Sequence, residues 1–173
     1  MNSRPRAQRL CLDAAAEVHD VHAVLVACGA ELARQGFHNW NSPYPLARLM
    51  SDVAAREVWA VWMDDDVVAT FTLSTSAPHR ADPPAWREPD APALYLSRLA
   101  VHPGAQGHGL GAWCMGQVEC RARELACRSV RFDVLATNGR LRAFYERLGY
   151  EPRGERTRPP FTFACYDKLL DVA

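Results

Sequence analysis

The chain has 173 residues, 49% hydrophobic and 23% charged, which is close to one domain in length and excludes collagen-like, coiled-coil and disordered classes. Twenty basic residues balance twenty acidic ones, so no global field draws nucleic acid or an anionic membrane, and neither is expected as a partner. Residues 1–100 hold 9 basic and 12 acidic side chains, residues 101–173 hold 11 and 8. A net of +3 in the second part suits a ligand with a few phosphates without requiring one. The expectation is a single domain over residues 1–173.

Six cysteines, at positions 11, 28, 114, 120, 127 and 165, include no CxxC pair and read as free, mostly buried thiols. The six histidines are scattered, zinc-ligand spacing is absent and no metal is expected. The apolar segment near the N-terminus is broken by Asp13 and Glu17, and no run approaches the ~20 apolar residues of a membrane span. A cytoplasmic location is the default expectation.

Gln8–Leu12 reads as a short strand. Val18, Val21, Leu25, Cys28 and Leu32 then form one helical stripe that Gly36 can end. His19 and His22 form an i, i+3 pair with no third ligand nearby and read as helix surface. Phe37 to Tyr44 is an aromatic, turn-rich connection, and Pro45 fits the first turn of a second helix reaching Ala55. Val58–Met63 and Val67–Ser74 around Asp64-Asp65-Asp66 predict an antiparallel hairpin with a solvated tip. Ser76 to Pro92 holds five of the twelve prolines and reads as a loop. Beyond it the pattern becomes strand Leu94–Val101, a glycine-rich turn, helix Leu110–Ala126, strand Val130–Ala136 and helix Arg140–Leu148 closed by Gly149. On the first of these helices Leu110, Trp113, Cys114, Val118, Ala122 and Leu125 share a face, with Glu119, Arg123 and Glu124 opposite. Strands Tyr150–Glu155 and Phe161–Leu169 end the chain.

The chemistry concentrates in Gln106-Gly107-His108-Gly109-Leu110-Gly111, between a strand and a helix. Its glycines let backbone N–H groups face outward, and the following helix adds the positive end of its dipole. The combination is an anion cradle suited to phosphate. Gly107, Gly109 and Ala112 also match a dinucleotide fingerprint, with Asp133 placed 21 residues further on as a ribose-binding acid. Context argues against that match: five residues, His102 to Gln106, separate strand and first glycine, and Asp133 lies mid-strand.

Leu99-Ala100-Val101-His102-Pro103, then Gln106-x-x-Gly109-x-Gly111, then Asn138 and Phe144-Tyr145-Glu146-Arg147-Leu148-Gly149-Tyr150 resemble the GNAT acyltransferases. The resemblance is specific from Leu94 to Tyr150; earlier, only the order of elements agrees. It implies an α/β (α+β) GNAT fold, a mixed, mostly antiparallel seven-stranded sheet with helices on both faces and strands four and five splayed apart. It further implies acetyl-CoA as co-substrate. The main chain at Leu99 and Val101 would bind the pantetheine arm, and amides of Gln106, Gly107, His108, Gly109, Leu110, Gly111 and Ala112 the pyrophosphate. Asn138 matches the family's CoA-contacting Asn, though capping of the helix before Arg140 explains an Asn there equally well. Arg147 would meet the adenosine 3′-phosphate; an exposed helix Arg is the plainer reading.

Acetyl transfer to an amine requires an amine of pKa about 10 to lose its proton, a donor for the oxyanion and a proton for a thiolate whose parent thiol has pKa about 8.5. The resemblance puts Tyr145 at the family's phenol acid, while its place on an apolar stripe is compatible with simple core. Where better-known members carry Glu or His on the fourth strand, this chain has Ser97 and Tyr95, neither a good base. A water relayed by either, or delivery of a neutral amine, would take that role; Glu88, Asp90 and His79 of the proline-rich loop are further acid-base groups. His38, Trp40 and Tyr44 are candidates for an acceptor wall, against the alternative that Trp40 and Tyr44 pin the loop to the core. The expected function is acetyl transfer to a primary amine of a small molecule. A protein N-terminus or lysine as acceptor, or a non-catalytic CoA-binding sensor, are the alternatives. A homodimer is compatible with all of them.

Overall fold

The computed structural model describes residues 4–9, 15–40, 43–77 and 85–171. Its elements follow the predicted order: β1 (Arg6–Arg9), α1 (Ala15–Arg34), α2 (Leu46–Ala55), β2 (Glu57–Met63), β3 (Asp66–Ser74), β4 (Ala93–Val101), α3 (Leu110–Glu124), β5 (Ser129–Leu135), α4 (Gly139–Arg147), β6 (Glu151–Arg158) and β7 (Phe161–Leu169). Among the described residues seven strands form one mixed sheet in the order β1-β2-β3-β4-β5-β7-β6. β1–β2, β2–β3, β5–β7 and β6–β7 pair antiparallel. β4 and β5 are parallel, and their register runs only from Ala93↔Ser129 to Tyr95↔Arg131 although both strands continue beyond it. No helix among the described residues is long and apolar enough to cross a membrane.

The chain divides into two compact units, residues 1–73 with 98–115, and residues 74–97 with 116–173. In the first, Val18, Val21, Leu25 and Cys28 of α1 bury against Leu49 and Val53 of α2, Val58, Ala60 and Trp62 of β2, and Ala100. The 3.6-residue spacing of the α1 stripe produces this face. α1 closes with Phe37 N–H on the Leu32 carbonyl at 2.8 Å and Gly36 N–H on Ala33 at 3.0 Å, the paired bonds of a Schellman motif. Pro45 stands just before the first turn of α2 as its N-cap. The hairpin turn is Asp64-Asp65, since Asp66 already pairs with Met63 as the first residue of β3. The first strand differs from expectation: β1 is Arg6–Arg9, and Leu10 to Leu12 lie outside the described residues.

The second unit is built on Phe132 of β5, whose ring lies 4.3 Å from Tyr145, 4.9 Å from Tyr150 and 5.8 Å from Tyr166, centre to centre. Phe132 reaches Tyr145 of α4 while its neighbour Arg131 turns to Tyr95 and Trp86, because side chains alternate along a strand. α4 ends with Tyr150 N–H on the Tyr145 carbonyl at 3.2 Å and Gly149 N–H on Glu146 at 3.0 Å. One expectation fails here. Glu119, placed on the outer face of α3, is only 15% exposed at its side chain. It accepts from Lys168 Nζ at 2.8 Å and from the Tyr150 hydroxyl at 3.1 Å. Lys168 also caps the Leu148 carbonyl at 2.9 Å. The buried Tyr150 phenol needs an acceptor, and a carboxylate one helical step from the apolar stripe supplies it while pairing with the partly exposed Lys168.

Candidate active site

The glycine-rich segment is set up by what precedes it. Past Val101, the N–H of His102 bonds the Val68 carbonyl of β3 at 2.8 Å, and His102 Nδ1 accepts from Gly104 N–H at 3.2 Å. Pro103–Ala105 then make a single 3-10 turn. Gln106 folds back so that Nε2 donates to the Val101 carbonyl at 3.0 Å, and Cys28 Sγ donates to the same oxygen at 3.1 Å. A ligand approaching that carbonyl competes with these two donors. Burial, with Glu31 nearby, pushes the Cys28 thiol up to about 12, so it stays protonated and serves as donor.

Gly107 and Gly109 take φ of 87° and 78°, a left-handed backbone that a Cβ disfavours. An added Cβ would meet nothing within 4 Å at either position; conformation, not crowding, calls for glycine, and the space before the loop is open. Gln106 to Gly109 are exposed. Trp113 N–H to Gly109 carbonyl, at 3.0 Å, opens α3, so the amides of Leu110, Gly111 and Ala112 have no acceptor inside the helix. Open amides at the positive end of a 15-residue helix are suited to a di-anionic phosphate group.

In the same unit, Tyr44 is 4% exposed and belongs to the core, Trp40 is half-buried against it, and their rings lie 6.0 Å apart. His38 is exposed, and Asn41 and Ser42 lie outside the described residues. His22, read from sequence as helix surface, places Nε2 2.6 Å from the Tyr44 carbonyl and so tethers the connection to α1. Burial raises the Tyr44 phenol above its ordinary value, against the lowering effect of Arg98 and Arg48. With the acetyl-CoA and amine acceptor that the family resemblance implies, Trp40→Ala is expected to raise the acceptor KM while leaving the KM for acetyl-CoA within about twofold; loss of both affinities, or a large fall in Tm, assigns Trp40 to the core alone.

In the second unit, Tyr145 is 4% exposed and ringed by Phe132, Phe144 and Tyr150. Asn138 caps α4, its Oδ1 accepting from Leu141 N–H at 3.1 Å. Arg147 is exposed in the last turn. Ser97 and Tyr95 are both half-buried on β4. The Tyr95 oxygen accepts from Arg131 Nη1 at 3.2 Å. Arg131, missed by sequence reasoning, is 2% exposed, lies 5.1 Å from the centre of the Trp86 ring and donates to the Glu88 carbonyl. Glu88 is occupied too: a hydrogen bond from Arg128 holds its carboxyl below the usual range. Asp90 is exposed, and His79 lies outside the described residues. The cysteines of α3 are poor nucleophiles where buried, burial pushing the Cys114 thiol up to about 12. Among the described residues no group of three or more His, Cys, Asp or Glu side chains is placed to hold a metal ion.

Comparison with known proteins adds three findings. A family model described as the acetyltransferase (GNAT) family matches residues 25–150. The uncharacterized N-acetyltransferase YesJ of Bacillus subtilis (strain 168) is 32% identical over 95 residues, which span 54% of this chain and 53% of that protein, about half of each. Among solved structures, a GNAT-family acetyltransferase from Listeria monocytogenes 4b F2365 superposes with a TM-score of 0.75 at 14% identity, over 98% of this chain and 99% of that one. The ribosomal-protein-S18-alanine N-acetyltransferase from Escherichia coli gives 0.73 at 13% identity over 98% and 96%. yncA from Salmonella typhimurium, solved with its cofactor acetyl-CoA, gives 0.66 at 13% identity over 96% and 94%. At these identities the structural likeness establishes the fold.

Proposed function

The chain belongs to the acetyltransferase (GNAT) family, and from that premise we propose that it transfers the acetyl group of acetyl-CoA directly to a primary amine of a small molecule, as one cytoplasmic domain spanning residues 1–173. The observation that carries this reading is the open loop of Gln106 to Ala112, with left-handed Gly107 and Gly109 leading into α3. Its amides suit a pyrophosphate; the Leu99 and Val101 main chain is assigned to the amide-bearing pantetheine arm, which would displace Gln106 Nε2 and Cys28 Sγ to use the Val101 carbonyl. Asn138 and Arg147 are assigned to the remaining contacts with CoA.

Acetyl-CoA supplies a thioester carbonyl and a thiolate leaving group; the chain has to handle two protons. Tyr145 is assigned the acid on the family resemblance, its phenol supplying the proton that the departing thiolate would take. Tyr95 and Ser97 are assigned the path by which the amine loses its proton, through water. The Tyr95 oxygen receives a hydrogen bond from Arg131; its remaining lone pair, or that of the Ser97 hydroxyl, would accept from the water, which takes the amine proton and passes it to bulk solvent. His38, Trp40 and Tyr44 are assigned the acceptor side.

A CoA-binding sensor is the second reading, favoured by the lack of Glu or His at Tyr95 and Ser97. Purified protein mixed with acetyl-CoA and a panel of small amines, N-terminal peptides and lysine peptides separates the two by mass spectrometry. Acetylation of a small amine with stoichiometric CoA release is expected. Acetylation of peptides alone moves the acceptor to proteins, and CoA binding without turnover on any amine replaces the enzyme by the sensor.

A further inference from the structure

β4 carries a charged residue on its buried parity. Leu94, Leu96 and Ala100 are all buried, and Arg98 falls in step with them, its side chain 14% exposed. Its backbone is left-handed, at φ 52°. Within a strand that conformation belongs to bulges and favours glycine. An arginine there has to be held by its side chain, and it is. Arg98 Nη1 forms an ion pair with the Asp52 carboxylate of α2, itself 9% exposed, and the guanidinium lies 5.9 Å from the centre of the Tyr44 ring. Asp52 also faces Arg56 at 3.7 Å. One side chain thus joins β4, α2 and the end of the α1–α2 connection.

The residues that follow Arg98 are Leu99 to Val101, assigned above to the pantetheine arm. We propose that Arg98 is a positioning residue for cofactor binding: clamped between Asp52 and Tyr44, it fixes the backbone turn that presents the Leu99–Val101 main chain. The same clamp fastens Tyr44, so it ties the cofactor segment to the Trp40–Tyr44 wall. This inference rests on the acetyl-CoA reading of the loop.

A brace that served only stability would move Tm and leave ligand affinity alone, so affinity is the readout. Arg98→Gly removes the clamp while accepting φ 52° without strain, which keeps the variant foldable; Asp52→Asn keeps the arginine and removes its charge partner; Arg98→Lys keeps the charge. CoA affinity is measured by calorimetry well below each variant's Tm. Arg98→Gly and Asp52→Asn are each expected to weaken CoA binding at least tenfold, and Arg98→Lys to recover part of that loss. Wild-type affinity in both Arg98→Gly and Asp52→Asn overturns the proposal whatever their Tm. Wild-type protein that does not bind CoA overturns the acetyl-CoA reading and this inference together.

Discussion

Tyr145→Phe is expected to lower kcat by roughly 10- to 10⁴-fold while the dissociation constant of acetyl-CoA changes little. The substitution keeps the ring that packs on Phe132, Phe144 and Tyr150 and removes only the hydroxyl. Stability should fall by no more than about 1 kcal/mol, the usual net worth of one hydrogen bond. The measurement is single-turnover acetyl transfer to an amine identified by the panel, under conditions where chemistry limits the rate. Full kcat in Tyr145→Phe makes the phenol a core residue, a role its 4% exposure and aromatic surroundings fully support. The two roles predict different variants to be harmful: for the acid Phe is damaging and only a proton donor rescues, for the core Phe is harmless and Ala is damaging.

Sequence order gave up most of the fold because each element writes a clear period. The α1 stripe, the Asp-turn hairpin and the strand-helix-strand-helix run after Leu94 fall within about two residues of their expected places. Boundaries slip where turns are made by hydrogen bonds that no residue type announces. α3 stops at Glu124 because Ala126 turns left-handed at φ 53° and Cys127 N–H reaches back to Ala122; with Ala in the place usually held by glycine, nothing in the sequence marks it.

The polar side chains missed in advance share one cause: each is a charge on an inward-facing position, and its partner is remote in sequence. Arg98 pairs with Asp52, Arg131 meets Tyr95 and Trp86, and Glu119 holds Lys168 and Tyr150. A signal existed for Arg98, since in Leu94-Tyr95-Leu96-Ser97-Arg98-Leu99-Ala100 it interrupts an alternating apolar series, and a buried charge must be paired. The alternation identifies the residue but not the partner, because α2 lies more than forty positions away. The loop is legible for the opposite reason: its left-handed turns need glycines close in sequence, and Gly107 and Gly109 declare themselves.

Gly109→Val is expected to weaken CoA binding at least tenfold, about 1.4 kcal/mol, in a protein that still unfolds cooperatively. Two mechanisms contribute and can be separated. At φ 78° a β-branched residue is strained, so valine drives the loop out of the shape that aligns its amides. A side chain also occupies the open space before the loop, where no protein atom lies within 4 Å of the added Cβ. The first mechanism spares asparagine, which visits the left-handed region readily; the second does not. Gly109→Asn binding CoA as wild type does while Gly109→Val fails makes backbone shape the requirement, and equal losses in both make it open space. The lack of internal clash protects the fold in either case, so calorimetry on folded protein reads the loop alone. Unchanged CoA affinity in folded Gly109→Val removes the cradle from the site.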